Sequence, residues 1–178
     1  MAEIKNEGLP YWLYNKYPEI TSKTWHKNKV STPTVDYLNP TFLKEVNSWY
    51  TKLFDVIKDY TFGDQSTVKG IQLDNEVGML SWVSNQPEFT PEIITSLKQA
   101  LPNEKDLYAP QSKDSLKYHD VLANLMRDRY KQYILTLNSY LKELGLKHLL
   151  YFINIHGTSN GRGKTFPIGI SQLINTYK

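Results

Sequence analysis

The sequence predicts an α/β fold built on a parallel sheet, and two observations lead to this prediction. A helical pattern, a glycine and a short apolar run of strand length follow one another twice along the chain. Each apolar run is followed at once by a cluster of polar residues. This order is typical of units in which a helix leads into the next strand of a parallel sheet. The polar clusters are then expected at the carboxyl ends of neighbouring strands, the edge where such folds bind their ligands.

The first unit begins with a helix that we predict from about residue 39 to residue 60. Asn39 is a suitable N-cap, and Pro40 fits the first helical turn. Apolar residues, Trp49 among them, recur at steps of three and four residues and predict one buried face. Gly63 can supply the left-handed residue that ends such a helix.

The second unit repeats this pattern. Its helix is predicted over residues 114–144 and is closed by Gly145. The two strands are predicted at residues 68–73 and 149–153, because both runs are rich in branched or aromatic side chains. A short helix over residues 91–101 is expected within the long connection that follows the first strand.

The composition excludes several classes of protein. The chain has 178 residues, of which 40% are hydrophobic and 13% aromatic, and this suits one domain with a sizeable core rather than a disordered chain. It has no cysteine, which excludes disulfides, thiolate-bound zinc and a cysteine nucleophile. The four histidines show no metal-ligand spacing, and we expect neither a metal nor a cofactor. No apolar run reaches the ~18–20 residues of a membrane helix.

The polar cluster after the first strand carries the clearest chemical signal. Strict alternation along a strand places Asp74 and Glu76 on one side and Asn75 on the other. A carboxyl group at such an edge, shielded from water, has a raised pKa and can serve as a general acid. The competing interpretation is that the three residues only cap a loop or the start of a helix.

A family resemblance favours the chemical interpretation. The segment Ile-Gln-Leu-Asp-Asn-Glu-Val-Gly at residues 71–78 resembles the strand-four signature of clan A glycoside hydrolases, especially the β-galactosidases of families 35 and 42. The resemblance implies that Glu76 is the acid/base and that Asn75 binds the sugar 2-hydroxyl.

Two further segments are similar to the same enzymes. Residues 2–13 resemble the end of strand three and a following Gly-Leu-Pro-X-Trp-Leu turn, which implies that Glu3 contacts the sugar. Residues 127–157 resemble a family 42 helix followed by a strand that ends in Asn154. His156 departs from the family pattern but lies at the strand end, where it is a candidate for contacting substrate; an ordinary surface or core histidine is the alternative. Trp82, six residues after Glu76, is a candidate for stacking on a sugar ring; packing beneath the loop is the alternative.

The resemblance implies a partial (β/α)8 TIM barrel comprising roughly strands three to five. A closed barrel needs ~250 residues and at least ~200, so this chain is expected to form an open part of one. Residues 1–178 are accordingly interpreted as a single incomplete catalytic domain. Retaining hydrolysis requires a second carboxylate as nucleophile, and in clan A this residue lies on strand seven. We therefore expect the nucleophile to be absent and the isolated chain to be inactive.

The expected partner is a carbohydrate, with a β-galactoside as the implied substrate. Open strand edges further predict a complementing barrel fragment or a homo-oligomer. A non-catalytic carbohydrate-binding remnant is the alternative function. Nucleic-acid binding is disfavoured because the net charge is only +3 and the lysines are scattered. A membrane is not expected as a partner, and a cytoplasmic location is favoured because the first residues lack an apolar signal core, although the N-terminus is expected to be incomplete.

Overall fold

The computed structural model describes residues 9–22, 35–63, 66–75, 90–104, 107 and 116–154. The helices are α1 (Tyr11–Lys16), α2 (Pro40–Ile57), α3 (Pro91–Ala100) and α4 (Leu116–Glu143), and the strands are β1 (Gly70–Asn75) and β2 (Leu150–Asn154). Two short 3-10 turns lie at Pro18–Ile20 and Lys58–Tyr60.

β1 and β2 are neighbours and run parallel, as predicted. Their register begins with Gly70 opposite Leu150. A Cβ atom on Gly70 would lie 3.0 Å from the carbonyl oxygen of Leu150, so the glycine permits a close approach of the two backbones. The long helix α4 lies between the strands in sequence, which is the arrangement that a parallel connection requires.

The start of α2 confirms the predicted cap. The side-chain oxygen of Asn39 accepts hydrogen bonds from the backbone N–H groups of Thr41 at 2.9 Å and Phe42 at 3.3 Å. Pro40 occupies the first turn. The α-helix ends at Ile57 and continues as a 3-10 turn, so the regular helix is three residues shorter than predicted.

The end of α4 also follows the sequence pattern. Gly145 has a φ of +88°, and Gly63 beyond α2 has a φ of +78°, as both were expected to terminate helices. The inner face of α4 forms much of the hydrophobic core, where the ring of Tyr133 stacks on that of Tyr37 at a centroid distance of 4.6 Å. Fully buried side chains along α4 include Tyr118, Leu122, Met126, Tyr130 and Leu137.

Trp49 was predicted to be buried on the stripe of α2, and this prediction is wrong. Its side chain is 58% exposed. The next residue, Tyr50, is buried against β1 instead, and the Trp49 ring lies at the rim of a small apolar cleft between α2 and β1. Trp49 therefore marks the edge of the surface that α2 buries.

The helices of the described ranges pack against one face of the sheet. Leu73 is buried in the core on that face. On the other face, Leu150 is 73% exposed and Phe152 is 52% exposed. This open two-stranded parallel sheet is consistent with part of an α/β barrel. None of the helices in the described ranges is long and apolar enough to cross a membrane.

Candidate active site

The carboxyl ends of the two strands meet as the sequence predicts. Asn75, the last residue of β1, lies in register with Asn154, the last residue of β2. The backbone thus brings these two predicted site residues to the same edge of the sheet. The side chain of Asn154 lies outside the described residues.

The last residues of β1 do not pair regularly with β2. Gln72 pairs with Phe152, whereas Asn75 pairs with Asn154, so two residues of β1 oppose one residue of β2. This irregularity is a β-bulge, which re-aims the side chains that follow it. The predicted strict alternation is therefore wrong at this point, because the extra residue turns Asn75 to the exposed face that carries Gln72.

A pair of hydrogen bonds spans the bulge on that exposed face. Nε2 of Gln72 donates to Oδ1 of Asn75 at 3.2 Å and to the backbone oxygen of Asp74 at 3.1 Å. Gln72 was not among the predicted site residues. Under strict alternation, residues three positions apart lie on opposite faces, so the sequence offered no signal for this contact.

The carboxyl group of Asp74 is held away from water. Its Oδ1 accepts a hydrogen bond from the backbone N–H of Asn75 at 2.7 Å. Its Oδ2 is buried and has no hydrogen-bond partner among the described residues. Burial raises the pKa of Asp74 from 3.8 to about 7, and the hydrogen bond from Asn75 offsets only part of this effect.

Tyr50 lies beneath the same strand end. Its hydroxyl group donates to the backbone oxygen of Leu73 at a long distance of 3.5 Å. Burial raises the pKa of Tyr50, and the nearby Asp74 carboxyl raises it further. The phenol therefore remains neutral and ties α2 to the end of β1.

Four predicted site residues lie outside the described residues, and the structure does not test their roles. They are Glu3, Glu76, Trp82 and His156. The carboxyl group whose pKa is raised at the described strand end belongs to Asp74, two residues before Glu76. The sequence analysis predicted a raised pKa for a carboxyl group at the strand end, but it did not distinguish Asp74 from Glu76.

A larger cleft of about 730 Å³ lies among the helices rather than at the sheet edge. Its wall includes the N-terminal residues Pro40 of α2 and Pro91 of α3. Arg129 of α4 donates to Asp36 at 2.5 Å within this wall, and both side chains are largely buried. In the described part of the chain, no cluster of acidic or histidine side chains is suited to hold a metal ion.

Comparison with known families identifies the family to which this chain belongs. The model of glycoside hydrolase family 42, described as beta-galactosidase, matches residues 5–138. The chain belongs to glycoside hydrolase family 42. The match contains Asn75 and Glu76, and it decides between the two families that the sequence motifs resembled.

Three proteins similar to this family 42 chain are named as enzymes that act on carbohydrates. A Beta-1,2-glucosyltransferase from Ignavibacterium album is 28% identical over 201 residues, which cover 99% of this chain and 27% of that protein. An Exo-beta-D-glucosaminidase from Pyrococcus horikoshii is 33% identical over 42% of this chain and 10% of its own length. The corresponding enzyme from Thermococcus kodakarensis is 32% identical over 53% of this chain and 12% of its own length. The chain thus spans no more than 27% of the length of these relatives.

Proposed function

We propose that this chain supplies the acid/base part of a retaining β-glycosidase active site. The family 42 match across β1 carries the proposal, because it includes Glu76 directly after the carboxyl end of a parallel strand. In α/β barrels, catalytic residues come from the carboxyl ends of the strands. Asn75 lies at that end with its side chain exposed.

The proposed reaction has two steps. Glu76 gives its proton to the glycosidic oxygen, while a second carboxylate ~5–5.5 Å away attacks the anomeric carbon and forms a glycosyl-enzyme. Glu76, now ionised, removes a proton from water, which then attacks the anomeric carbon and releases the sugar. Asn75 donates a hydrogen bond to the sugar 2-hydroxyl during both steps.

The remaining parts of the site are also proposals. Glu3, Asn154 and His156 contact the bound sugar, and Trp82 stacks on it. The nucleophilic carboxylate comes from outside these 178 residues, so the chain alone binds carbohydrate without hydrolysing it. The residues form part of a single catalytic domain of the TIM-barrel type. The first substrate class to test is a β-galactoside, because the matched family is described as beta-galactosidase.

A second candidate is transfer of a glucosyl group to a sugar hydroxyl. The Beta-1,2-glucosyltransferase matches 99% of this chain, which is more than either glucosaminidase covers. The covalent intermediate is the same for hydrolysis and transfer, and only the acceptor differs. Product analysis with and without an added glucoside acceptor distinguishes the two reactions.

The test of Glu76 uses the full chain mixed with segments that supply the other barrel strands of a family 42 enzyme, both the first two and the later ones. We expect hydrolysis of nitrophenyl β-galactoside only in the mixture. Glu76→Gln should lower kcat/KM by about 10²–10⁴, the usual contribution of general acid catalysis. The loss should be smaller with a dinitrophenyl glycoside, because its leaving group needs less protonation.

Glu143→Gln is the matched control, since this carboxylate is exposed at the end of α4, which leads into the amino end of β2 rather than its carboxyl end. The control should leave kcat/KM unchanged. Equal activity of Glu76→Gln and the unaltered chain would contradict the acid/base proposal. Calorimetric titration of the chain alone with galactose separates sugar binding without catalysis, the carbohydrate-binding alternative, from a chain that binds no sugar.

A further inference from the structure

The cleft among the helices is lined by most of the buried polar residues in the described part of the chain. Of the four polar or charged residues that are buried there, three line the cleft, namely Ser22, Thr90 and Arg129. Oγ1 of Thr90 accepts from the backbone N–H of Ile93, and Arg129 is paired with Asp36. Ser22 differs, because its Oγ is buried and has no hydrogen-bond partner among the described residues. Native proteins rarely leave a buried hydroxyl unpaired, so this one indicates a place where a ligand can bind.

The cleft has the size and the mixed lining of a small-molecule site. Its volume of about 730 Å³ lies within the range of about 300–1,000 Å³ that is usual for such sites. Apolar side chains lie in the same wall as the polar ones, among them Leu38, Ile93 and Leu125. This mixture suits a ligand that has both hydrocarbon and polar groups.

The described wall of the cleft carries an excess of negative charge. One guanidinium group, that of Arg129, lies among four carboxylates, which belong to Glu19, Asp36, Glu92 and Asp128. Helices α2 and α3 also begin at this wall, and each helix start contributes about half a positive charge. A net negative charge of roughly two remains after these contributions. The cleft therefore favours a cation over an anion.

The placement of these carboxylates suits an organic cation better than a metal ion. No three acidic or histidine side chains of the described residues are grouped so that they could hold a metal ion. Glu19, Glu92 and Asp128 are exposed, and none of the three forms an ion pair with another described residue. A protonated amine needs no closed shell of ligands, because each of its three N–H groups can donate to a separate acceptor.

We propose that this cleft binds a small molecule that carries a protonated amine. The carboxylates of Glu19, Glu92 and Asp128 attract the ammonium group, and the hydroxyl group of Ser22 forms a hydrogen bond with a polar group of the same ligand. Amino sugars and aliphatic diamines share this chemistry. The inference does not depend on the proposed function, because none of the described cleft residues belongs to β1 or β2.

The first measurement uses the full chain without any change of sequence. Its NMR spectrum is recorded during titration with glucosamine or with putrescine, in mildly acidic buffer where both amines are protonated. We expect the backbone amides of Ser22, Ile93 and Asp128 to shift. N-acetylglucosamine, which lacks the charge, should bind about tenfold more weakly than glucosamine, since each exposed ion pair contributes up to about fivefold.

Each outcome of the titration bears on the proposal. A response to glucosamine alone supports it and identifies an amino sugar, and a response to putrescine alone supports it and identifies an aliphatic diamine. Cleft amides that respond to neither amine, or that respond equally to N-acetylglucosamine, would overturn it. Shifts confined to Asn75 and the strand end would also overturn it, because the amine would then bind at the sheet edge.

The role of charge is tested by Asp128→Asn, which should weaken binding of the amine by up to about fivefold. Asp120→Asn is the matched control and should leave the affinity unchanged. Asp120 is an exposed aspartate on the same helix that does not line the cleft, and both aspartates act electrostatically on Arg127. Added salt should weaken binding to the unaltered chain, because the carboxylates are exposed. Equal affinities of the two variants would contradict the charge argument.

The role of the buried hydroxyl is tested by Ser22→Ala. Removing a hydroxyl that has no protein partner should leave the urea midpoint of the chain unchanged, whereas loss of its hydrogen bond to the ligand should weaken binding by about two- to tenfold. Unaltered affinity in a folded Ser22→Ala chain would overturn the assignment of Ser22 to the ligand. A lowered urea midpoint would also contradict it, because the hydroxyl would then serve the fold.

Discussion

Asp74 has a partly buried carboxyl group with a raised pKa, although it lies near the end of a strand. Next to the exposed Asn75, one oxygen of the Asp74 carboxyl group is buried and without a partner among the described residues. A buried charge without a partner is costly, so the group keeps its proton to a higher pH. The raised pKa of Asp74 thus follows from the burial of its carboxyl group.

The raised pKa of Asp74 predicts a specific dependence of stability on pH. Between 3.8 and about 7, the folded chain keeps a proton that the unfolded chain has released. The free energy of unfolding should therefore decrease as the pH rises through this window. Asp74→Asn removes the titrating group, and we expect it to raise stability above this window by on the order of 3 kcal/mol.

Urea unfolding of both chains across the pH window measures this effect. Asp59→Asn changes an exposed carboxylate in the turn after α2 and serves as the control, with an expected pH profile close to that of the unaltered chain. A profile for Asp74→Asn that is as steep as that of the unaltered chain would contradict the burial argument.

The ion pair between Asp36 and Arg129 is the second residue-scale feature with a measurable effect. It joins a turn before α2 to the middle of α4, and the two side chains are only 19% and 10% exposed. Removing one member of a largely buried pair leaves an uncompensated charge. We expect Arg129→Met to reduce the free energy of unfolding by roughly 2–4 kcal/mol.

A double-variant comparison tests the cause of that loss. Adding Asp36→Asn to Arg129→Met should recover part of the stability, because it removes the charge left without its partner. Denaturant melts of the two single variants and the double variant supply the coupling energy. Simple addition of the two losses would show that the pair contributes only through packing.

Part of the arrangement of residues at the strand end could be predicted from the sequence. Asn75 was expected at the carboxyl edge because parallel strands share that edge, and the backbone confirms this position. The contact between Gln72 and Asn75 could not be predicted, because it depends on an extra residue of β1 relative to the partner strand. The register between two strands depends on tertiary structure, and the alternation of side chains along one strand does not predict it.

At the scale of elements, α2 shows which features local sequence determines well. Asn39 and Pro40 mark its start by hydrogen bonding and backbone geometry that involve only nearby residues. The burial of Trp49 was predicted wrongly because it depends on how wide a strip of the helix surface the core covers. Helix existence and caps were therefore predictable, whereas the limits of the buried face were not.

The cap of α2 can be tested by Asn39→Ala. This change removes the acceptor for two backbone N–H groups at the first turn, and we expect a loss of about 0.5–2 kcal/mol in stability. Asn39→Asp keeps an accepting oxygen at the same place and should cost much less. Thermal melts followed by circular dichroism compare the three chains, and equal losses in both variants would contradict a capping role.

At the scale of the molecule, the dominant feature is the sheet face that lies opposite the described helices. Leu150 and Phe152 expose large apolar side chains on the face opposite the helices. Exposed apolar patches on a sheet favour association with another surface. We expect the purified chain to self-associate through this face as its concentration rises.

Leu150→Glu should weaken this association, because it places a charge in the middle of the apolar face. Leu135→Glu is the matched control, since Leu135 is a large exposed apolar residue on α4, away from the sheet. Analytical ultracentrifugation over a range of concentrations compares the variants. A mass distribution that Leu150→Glu leaves unchanged would show that the sheet face is not the contact.

The parallel pairing of β1 with β2 also has a consequence during synthesis of the chain on the ribosome. Gly70 is made 80 residues before its partner Leu150. At rates of about 5–20 residues per second, β1 waits roughly 4–16 seconds for the strand with which it pairs. Helix α2 precedes β1 and is already available to cover Leu73 through Tyr50. The nascent chain can therefore shield one side of β1 early, while its pairing edge stays open until the second strand leaves the exit tunnel.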